Sequence, residues 1–156
     1  MYKRQVLGGS GEADSYNSQD GAYGGDNIGD AVTVSTVSDI GVITIKGGAD
    51  IQGDVKATSN VIFGGSASIS GNLSTNGFVD ITSASSFIGG DVTALDYVDV
   101  KNTIIGGSIQ SNSYITLSQV VVGGDVISSP VAGSPSDPSN IDITGETIYG
   151  LSLIHI

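Results

Sequence analysis

A short phrase recurs through the middle of the chain and restricts its fold more than any other feature. It is a glycine, often preceded by another, followed by a polar and then an aliphatic residue. The instances are Gly53-Asp54-Val55, Gly71-Asn72-Leu73, Gly90-Asp91-Val92, Gly107-Ser108-Ile109 and Gly124-Asp125-Val126. The steps between successive glycines are 18, 19, 17 and 17 residues. So short a period predicts a stack of equivalent units, because one unit cannot bury its apolar side chains alone whereas stacked neighbours can.

Spacing inside the repeat identifies the unit. Counted from the glycine, apolar residues fall at plus 2, plus 8 and plus 10, then again near plus 14 to plus 17. The first coil gives Val55, Val61, Phe63 and Ile69, and the second Leu73, Val79, Ile81 and Phe87 or Ile88. The third gives Val92, Val98, Val100 and Ile104 or Ile105, and the fourth Ile109, Ile115, Leu117 and Val121 or Val122. Plus 8 and plus 10 lie two apart and therefore share one face of a strand. β-Branched residues dominate these clusters, and no window carries the i, i+3, i+4, i+7 pattern of an amphipathic helix. Three short strands per coil, each ending at a Gly, Asn, Ser or Asp corner, satisfy the spacing. The predicted fold is all-β: a single-stranded parallel β-helix with 17–19 residues per coil, of either hand, over residues 45–127. An antiparallel β-sandwich also has short strands at regular spacing, but it does not require plus 2, plus 8 and plus 10 to recur in register.

The two ends read differently from the middle. Met1-Tyr2-Lys3-Arg4-Gln5 can be encoded by GTG TAT AAG AGA CAG, with GTG as the start codon. The reverse complement of that DNA encodes Leu-Ser-Leu-Ile-His, which is Leu151 to His155. Inverted copies of one DNA sequence resemble the transposon adapter of sequencing libraries. Residues 1–5 and 151–156 are accordingly read as adapter-derived, and the segment between them as part of a longer protein. The only Met, Arg and His (Met1, Arg4 and His155) lie in those ends, and Val6 to Gly150 holds 16 acidic residues against three lysines, a net charge of −13.

Residues 6–44 are expected to form an irregular N-terminal cap with lead-in strands. The stretch Asp14-Ser15-Tyr16-Asn17-Ser18, followed after a short gap by Tyr23-Gly24-Gly25 and Asn27, resembles a motif of bacterial surface and pilus-assembly-associated proteins. In those proteins the motif leads into a β-helical repeat region. The phrases Ile51-Gln52-Gly53-Asp54-Val55 and Ile69-Ser70-Gly71-Asn72-Leu73 resemble bactofilins, the polymer-forming cytoskeletal β-helices. Neither resemblance implies a catalytic site. Tyr16 and Tyr23 are expected to pack over the first coil, with Asp14 and Asn17 closing turns. Pro130, Pro135 and Pro138 place a loop at residues 128–140, since proline cannot donate to a strand ladder. Residues 141–150 then form a last strand or start a further coil.

Composition removes several function classes. The acidic balance opposes nucleic acid, whose phosphates call for Lys and Arg, and opposes anionic membrane surfaces. No apolar run reaches the length needed to span a bilayer. With no cysteine, disulfide frameworks and thiolate chemistry are excluded. Without His, Cys or Arg between the adapter-derived ends, histidine-dependent triads are excluded as well. Paired carboxylates remain: Asp80 and Asp99 share position plus 9 on successive coils, a spacing that suits a glycosidase pair.

Two further columns invite a binding reading. Asp54, Asn72, Asp91, Ser108 and Asp125 stack at plus 1, where stacked carboxylates would repel and calcium on Asp54, Asp91 and Asp125 could relieve them; solvated turns are the simpler reading. Gly24 to Asp30 faintly resembles the glycine- and aspartate-rich calcium nonapeptide but does not repeat. Position plus 7 gives Asn60, Phe78, Tyr97 and Tyr114, an outward aromatic ladder that either packs coil on coil or offers Phe78, Tyr97 and Tyr114 to a carbohydrate or protein partner. The sequence thus points to a non-catalytic stalk, adhesin or pilus-associated segment, extracellular or on the cell surface. A self-polymerising cytoplasmic module joined through coil ends is the alternative, and a polysaccharide-active enzyme is a third reading.

Overall fold

The computed structural model describes residues 4–7, 12–13, 32–36, 40–82, 85–129, 141–145, 147–148 and 153–155. Among these residues, every strand belongs to one of three seven-stranded sheets, and every strand pairing is parallel. The first sheet orders Arg4–Leu7, Val42–Ile45, Val61–Phe63, Val79–Ile81, Val98–Lys101, Ile115–Ser118 and Ile141–Thr144. The second orders Glu12–Ala13, Ala49–Ile51, Ala67–Ile69, Ser86–Ile88, Thr103–Ile105, Val121–Val122 and Thr147–Ile148. The third runs Val32–Ser35, Gly53–Ala57, Leu73–Thr75, Val92–Ala94, Ile109–Ser111, Val126–Ser128 and Leu153–His155. The chain visits the sheets in rotation, so each circuit adds one rung to all three. This is a β-solenoid, and the antiparallel sandwich is ruled out.

Alternation along the short strands fills the interior. In the circuit that starts at Val61, the inward residues are Val61, Phe63, Ala67, Ile69, Leu73 and Thr75, all buried. The next begins with Val79 and Ile81, which are fully buried. Each buried aliphatic side chain contributes about 1.5–3 kcal/mol relative to exposure, but only because the coil above and the coil below enclose it. Where two apolar neighbours compete for the second sheet, the structure turns the later one inward. Ile88, Ile105 and Val122 are fully buried, while Phe87 and Ile104 stand on the outer surface at 43% and 51% exposure.

Variation in coil length is confined to particular corners. In the regular coils, from Ile51 to Val126, three residues separate the last inward residue of the second sheet from the first of the third, as in Ile69 to Leu73 and Ile88 to Val92. Between the first and second sheets the link changes: three residues from Phe63 to Ala67, four from Ile81 to Ser86, two from Val100 to Thr103. Those changes account for the steps of 18, 19 and 17 residues. In the two-residue links the chain turns through a left-handed residue, Asn102 at φ 50° and Gln119 at φ 58°. At the third corner, pairing of Ile115 with Ile141 shows a step of 26 residues. The nine residues beyond a 17-residue circuit fall in the proline-bearing stretch, and residues 130–140 lie outside the described residues.

Strands Arg4–Leu7, Glu12–Ala13 and Val32–Ser35 are rungs of the three sheets, one circuit ahead of the regular coils. The tyrosine motif at residues 14–29 falls between the second and third of them and outside the described residues. Ile141–Thr144 and Thr147–Ile148 likewise form rungs of a further circuit. Leu153–His155 pairs with Val126–Ser128, and Arg4–Leu7 with Val42–Ile45, although the sequence assigns residues 1–5 and 151–156 to adapter DNA. An open parallel edge accepts an extended segment of any origin, since main-chain groups make the bonds.

The recurring glycines answer to crowding at the corner between the second and third sheets. Their amides continue the ladder round the bend: Gly90 N donates to Gly71 O at 3.0 Å, and Gly107 N to Gly90 O at 3.1 Å. A Cβ on Gly106 would lie 2.3 Å from Gly89 O, and one on Gly123 2.2 Å from Gly106 O. At these two glycines backbone approaches backbone too closely for a side chain, whereas Gln52 and Ser70 occupy the equivalent position of earlier coils. Gly106→Ala should therefore destabilise the protein by about 1–3 kcal/mol, the usual cost of overpacking. Chemical denaturation followed by circular dichroism would measure it, and an unchanged midpoint would refute the crowding argument.

Candidate functional site

Beyond the core, three columns of side chains run up the outside of the stack, and each carries residues singled out by the sequence. The first sits at the glycine corner. Asp54 Oδ1 accepts a hydrogen bond from Asn72 N at 2.8 Å, Asn72 Oδ1 from Asp91 N at 2.8 Å, Asp91 Oδ1 from Ser108 N at 2.7 Å, and Ser108 Oγ from Asp125 N at 3.0 Å. Each side chain thus satisfies the amide one coil further along, which the bend leaves without a strand partner. Asn72 Nδ2 also donates to Asp54 Oδ1 at 3.3 Å, and Lys56 Nζ lies 3.7 Å from Asp54 Oδ2.

This geometry bears on the calcium expectation. Asp54, Asp91 and Asp125 are each two coils from the next, with Asn72 and Ser108 between them. Rungs lie about 4.8 Å apart, so the carboxylates repeat at roughly twice that distance. Calcium draws its oxygens to about 2.3–2.6 Å, so one ion cannot join two of them. Among the described residues, no group of three or more His, Cys, Asp or Glu side chains is gathered closely enough to hold a metal ion.

The second column is the aromatic ladder. Phe78 and Tyr97 stack with ring centroids 4.7 Å apart and planes 7° from parallel; Tyr97 and Tyr114 stack at 4.8 Å and 3°. Ring spacing equals rung spacing, so the strands set the stack and the rings fill it. Below Phe78 the column continues with Asn60, whose Oδ1 accepts from Phe78 N at 3.2 Å. Enclosure in the stack raises the Tyr97 phenol above its ordinary pKa, with Tyr114, Asp80, Asp96 and Asp99 adding to the effect, so it stays neutral near pH 7. Each face of Tyr97 is covered by a neighbouring ring, leaving its edge rather than its face toward solvent. A sugar stacks on a ring face, so the middle of this ladder is built for coil packing.

The third column lies two residues along the same sheet, where Asp80 and Asp99 are register partners on adjacent rungs. The sequence-predicted juxtaposition is therefore present. Ile62 flanks Asp80 on one side and Thr116 flanks Asp99 on the other. Enclosure raises the Asp99 carboxyl above its ordinary range; Lys101 draws it partly back and Asp80 raises it again.

Two features escaped the sequence reading. One is the outward apolar run Phe87, Ile104 and Val121, register partners along the second sheet. The other is a set of buried hydroxyls at plus 4. Ser111 Oγ donates to Asp96 O at 2.5 Å and accepts from Ser113 N at 3.0 Å; Thr75 Oγ1 donates to Ser59 O, and Ser128 Oγ to Ser113 O. These hydroxyls tie the inner wall to the third corner of the preceding coil. The signal was available, since plus 4 holds Ala57, Thr75, Ala94, Ser111 and Ser128, all of them small residues.

No helix among the described residues is long and apolar enough to cross a membrane. Comparison with protein-family models, curated proteins and solved structures finds no match for the chain.

Two predictions follow from these columns. Asp91→Ala removes the acceptor for Ser108 N and should cost about 0.5–1.5 kcal/mol, whereas Asp91→Asn keeps an acceptor oxygen and should lie within about 0.5 kcal/mol of the parent. Equal losses in thermal melts of the two variants would show that the ladder bond contributes nothing. Tyr97→Ala breaks both ring stacks and should cost about 2–4 kcal/mol, while Tyr97→Phe preserves them and should cost under about 1 kcal/mol. Urea titration of both variants decides this.

Proposed function

We propose that the chain is a non-catalytic structural segment of a secreted or cell-surface protein, a stiff solenoid serving as a stalk or as the body of an adhesin or pilus-associated component. The observation that carries this reading is the joint between coils, repeated in unbroken register from Val42 to Ser128. At that joint, outer polar groups that could have served chemistry are committed to holding the next coil: Asp54, Asn72, Asp91 and Ser108 each accept from the following coil's backbone. The aromatic residues of the first sheet stack on one another in the same way. Each coil touches only its neighbours, so such a body transmits force along its axis and can be lengthened by adding coils. The acidic surface and scarcity of lysine suit a solvent-facing protein that avoids nucleic acid and anionic lipid.

Light scattering and negative-stain electron microscopy of the full chain test the proposal, together with turnover assays on a polysaccharide panel. A stable monomer without turnover is the expected result. Long filaments would replace the stalk with a self-polymerising module. Polysaccharide cleavage that disappears in Asp80→Asn or Asp99→Asn would replace it with an enzyme.

A further inference from the structure

Asp80 and Asp99 face outward from adjacent rungs because Val79, Ile81, Val98 and Val100 on either side of them are fully buried. Rungs about 4.8 Å apart place the two carboxyl groups side by side, where like charges repel. Their surroundings restrict both. Asp80 Oδ1 accepts from Thr82 Oγ1 at 2.7 Å. Asp99 Oδ1 is sealed from solvent and, among the described residues, has no hydrogen-bond partner. A sealed carboxylate oxygen without a donor carries its full desolvation cost, which a proton removes.

We propose that Asp80 and Asp99 form an acid-set latch between two coils. Asp99 takes one proton from solvent, its carboxylate becomes an O–H donor toward Asp80, and a repulsive contact becomes a hydrogen bond. The groups around it leave this balance intact. Lys101 on the same strand favours the charged form of Asp99, while burial, the largest influence, and Asp80 both oppose it. Tyr97 is neutral, Thr116 on the following strand carries no charge, and Asp142 is one rung further away.

The sign follows from the raised carboxyl. The folded protein binds the Asp99 proton more tightly than the unfolded chain does. The latch therefore adds its full stability below the ordinary aspartate pKa of about 3.9 and loses it as pH rises through the higher folded value. The measurement is a difference between variants, so that whatever the rest of so acidic a chain contributes is common to each.

Melting temperature is followed from pH 3 to 7.5 for the parent, Asp99→Asn and Asp80→Asn, alongside a carbon-detected NMR titration of the aspartate carboxyls. Three results are expected. The Asp99 midpoint lies above the ordinary aspartate range and moves down in Asp80→Asn. Asp99→Asn melts higher than the parent at pH 7.5. That advantage shrinks or reverses toward pH 4. An Asp99 midpoint unmoved by Asp80→Asn, or a melting difference that does not vary with pH, would overturn the latch. All three proteins are read in the folded state, so a variant that failed to fold would show in its circular dichroism, and Asp99→Ser would then supply the uncharged comparison.

Discussion

One strand spacing, held at every point around the circuit, is the constraint on which the rest of this structure depends. Straight strands meet it without difficulty, because parallel pairing has that spacing built in. Corners do not, since a bend with a side chain at its apex would push the next coil away. The protein meets the constraint at the corner between the second and third sheets with glycine, whose missing Cβ allows backbone within 2.3 Å of where that atom would sit. The polar residue after the glycine answers the second half of the problem, an amide turned out of the ladder. A side-chain oxygen reaches it at 2.7–3.0 Å from the coil before. Gly-Asp-Val is therefore one device with three parts: room to bend, an acceptor for the freed amide, and the first inward residue of the next strand.

The same device explains what was legible in the sequence. In the regular coils the corners between the second and third sheets and between the third and first each take three residues, so positions counted forward from the glycine stay in phase through Val55, Val61 and Phe63, and likewise in later coils. Beyond plus 10 the count crosses the corner between the first and second sheets, which takes two to four residues, and the parity of the strand is lost. Hence the choice between Phe87 and Ile88 could not be made by counting forward. Counting backward succeeds: Ile51, Ile69, Ile88, Ile105 and Val122 all stand two residues before a repeat glycine, and all are fully buried. Among the regular coils, tolerance of varied length belongs to the corner where Asn102 and Gln119 adopt left-handed φ and the links differ.

On the outside, position was readable and orientation was not. A residue at plus 7 precedes an inward residue, so Phe78, Tyr97 and Tyr114 had to form a column. Whether their rings would lie face to face or splay toward solvent depended on χ angles that no spacing encodes. The structure stacks them within 7° of parallel, so the ladder packs coil on coil. The plus 1 column behaves likewise. Its acidic members suggested a cation; alternation with Asn72 and Ser108 separates the carboxylates, and one oxygen each of Asn72 and Asp91 bonds the next coil's amide.

A stack of near-identical joints has no need for them to be equally strong, and the circuits that begin at Val79 and Val98 meet at one where opposing contributions coincide. Phe78 on Tyr97 attracts at the start of that rung pair, and Asp80 facing Asp99 repels two residues further on. Because both pairs are fixed by one strand register, neither can relax without disturbing the other. Stacking of aromatic rings is indifferent to pH across the range where carboxyls titrate, so the sum at this joint is set by the proton alone. A one-dimensional solenoid confines such an effect to the coils that meet there. The rest of the rod keeps its register while one joint along it is loosened or tightened by the acidity of its surroundings.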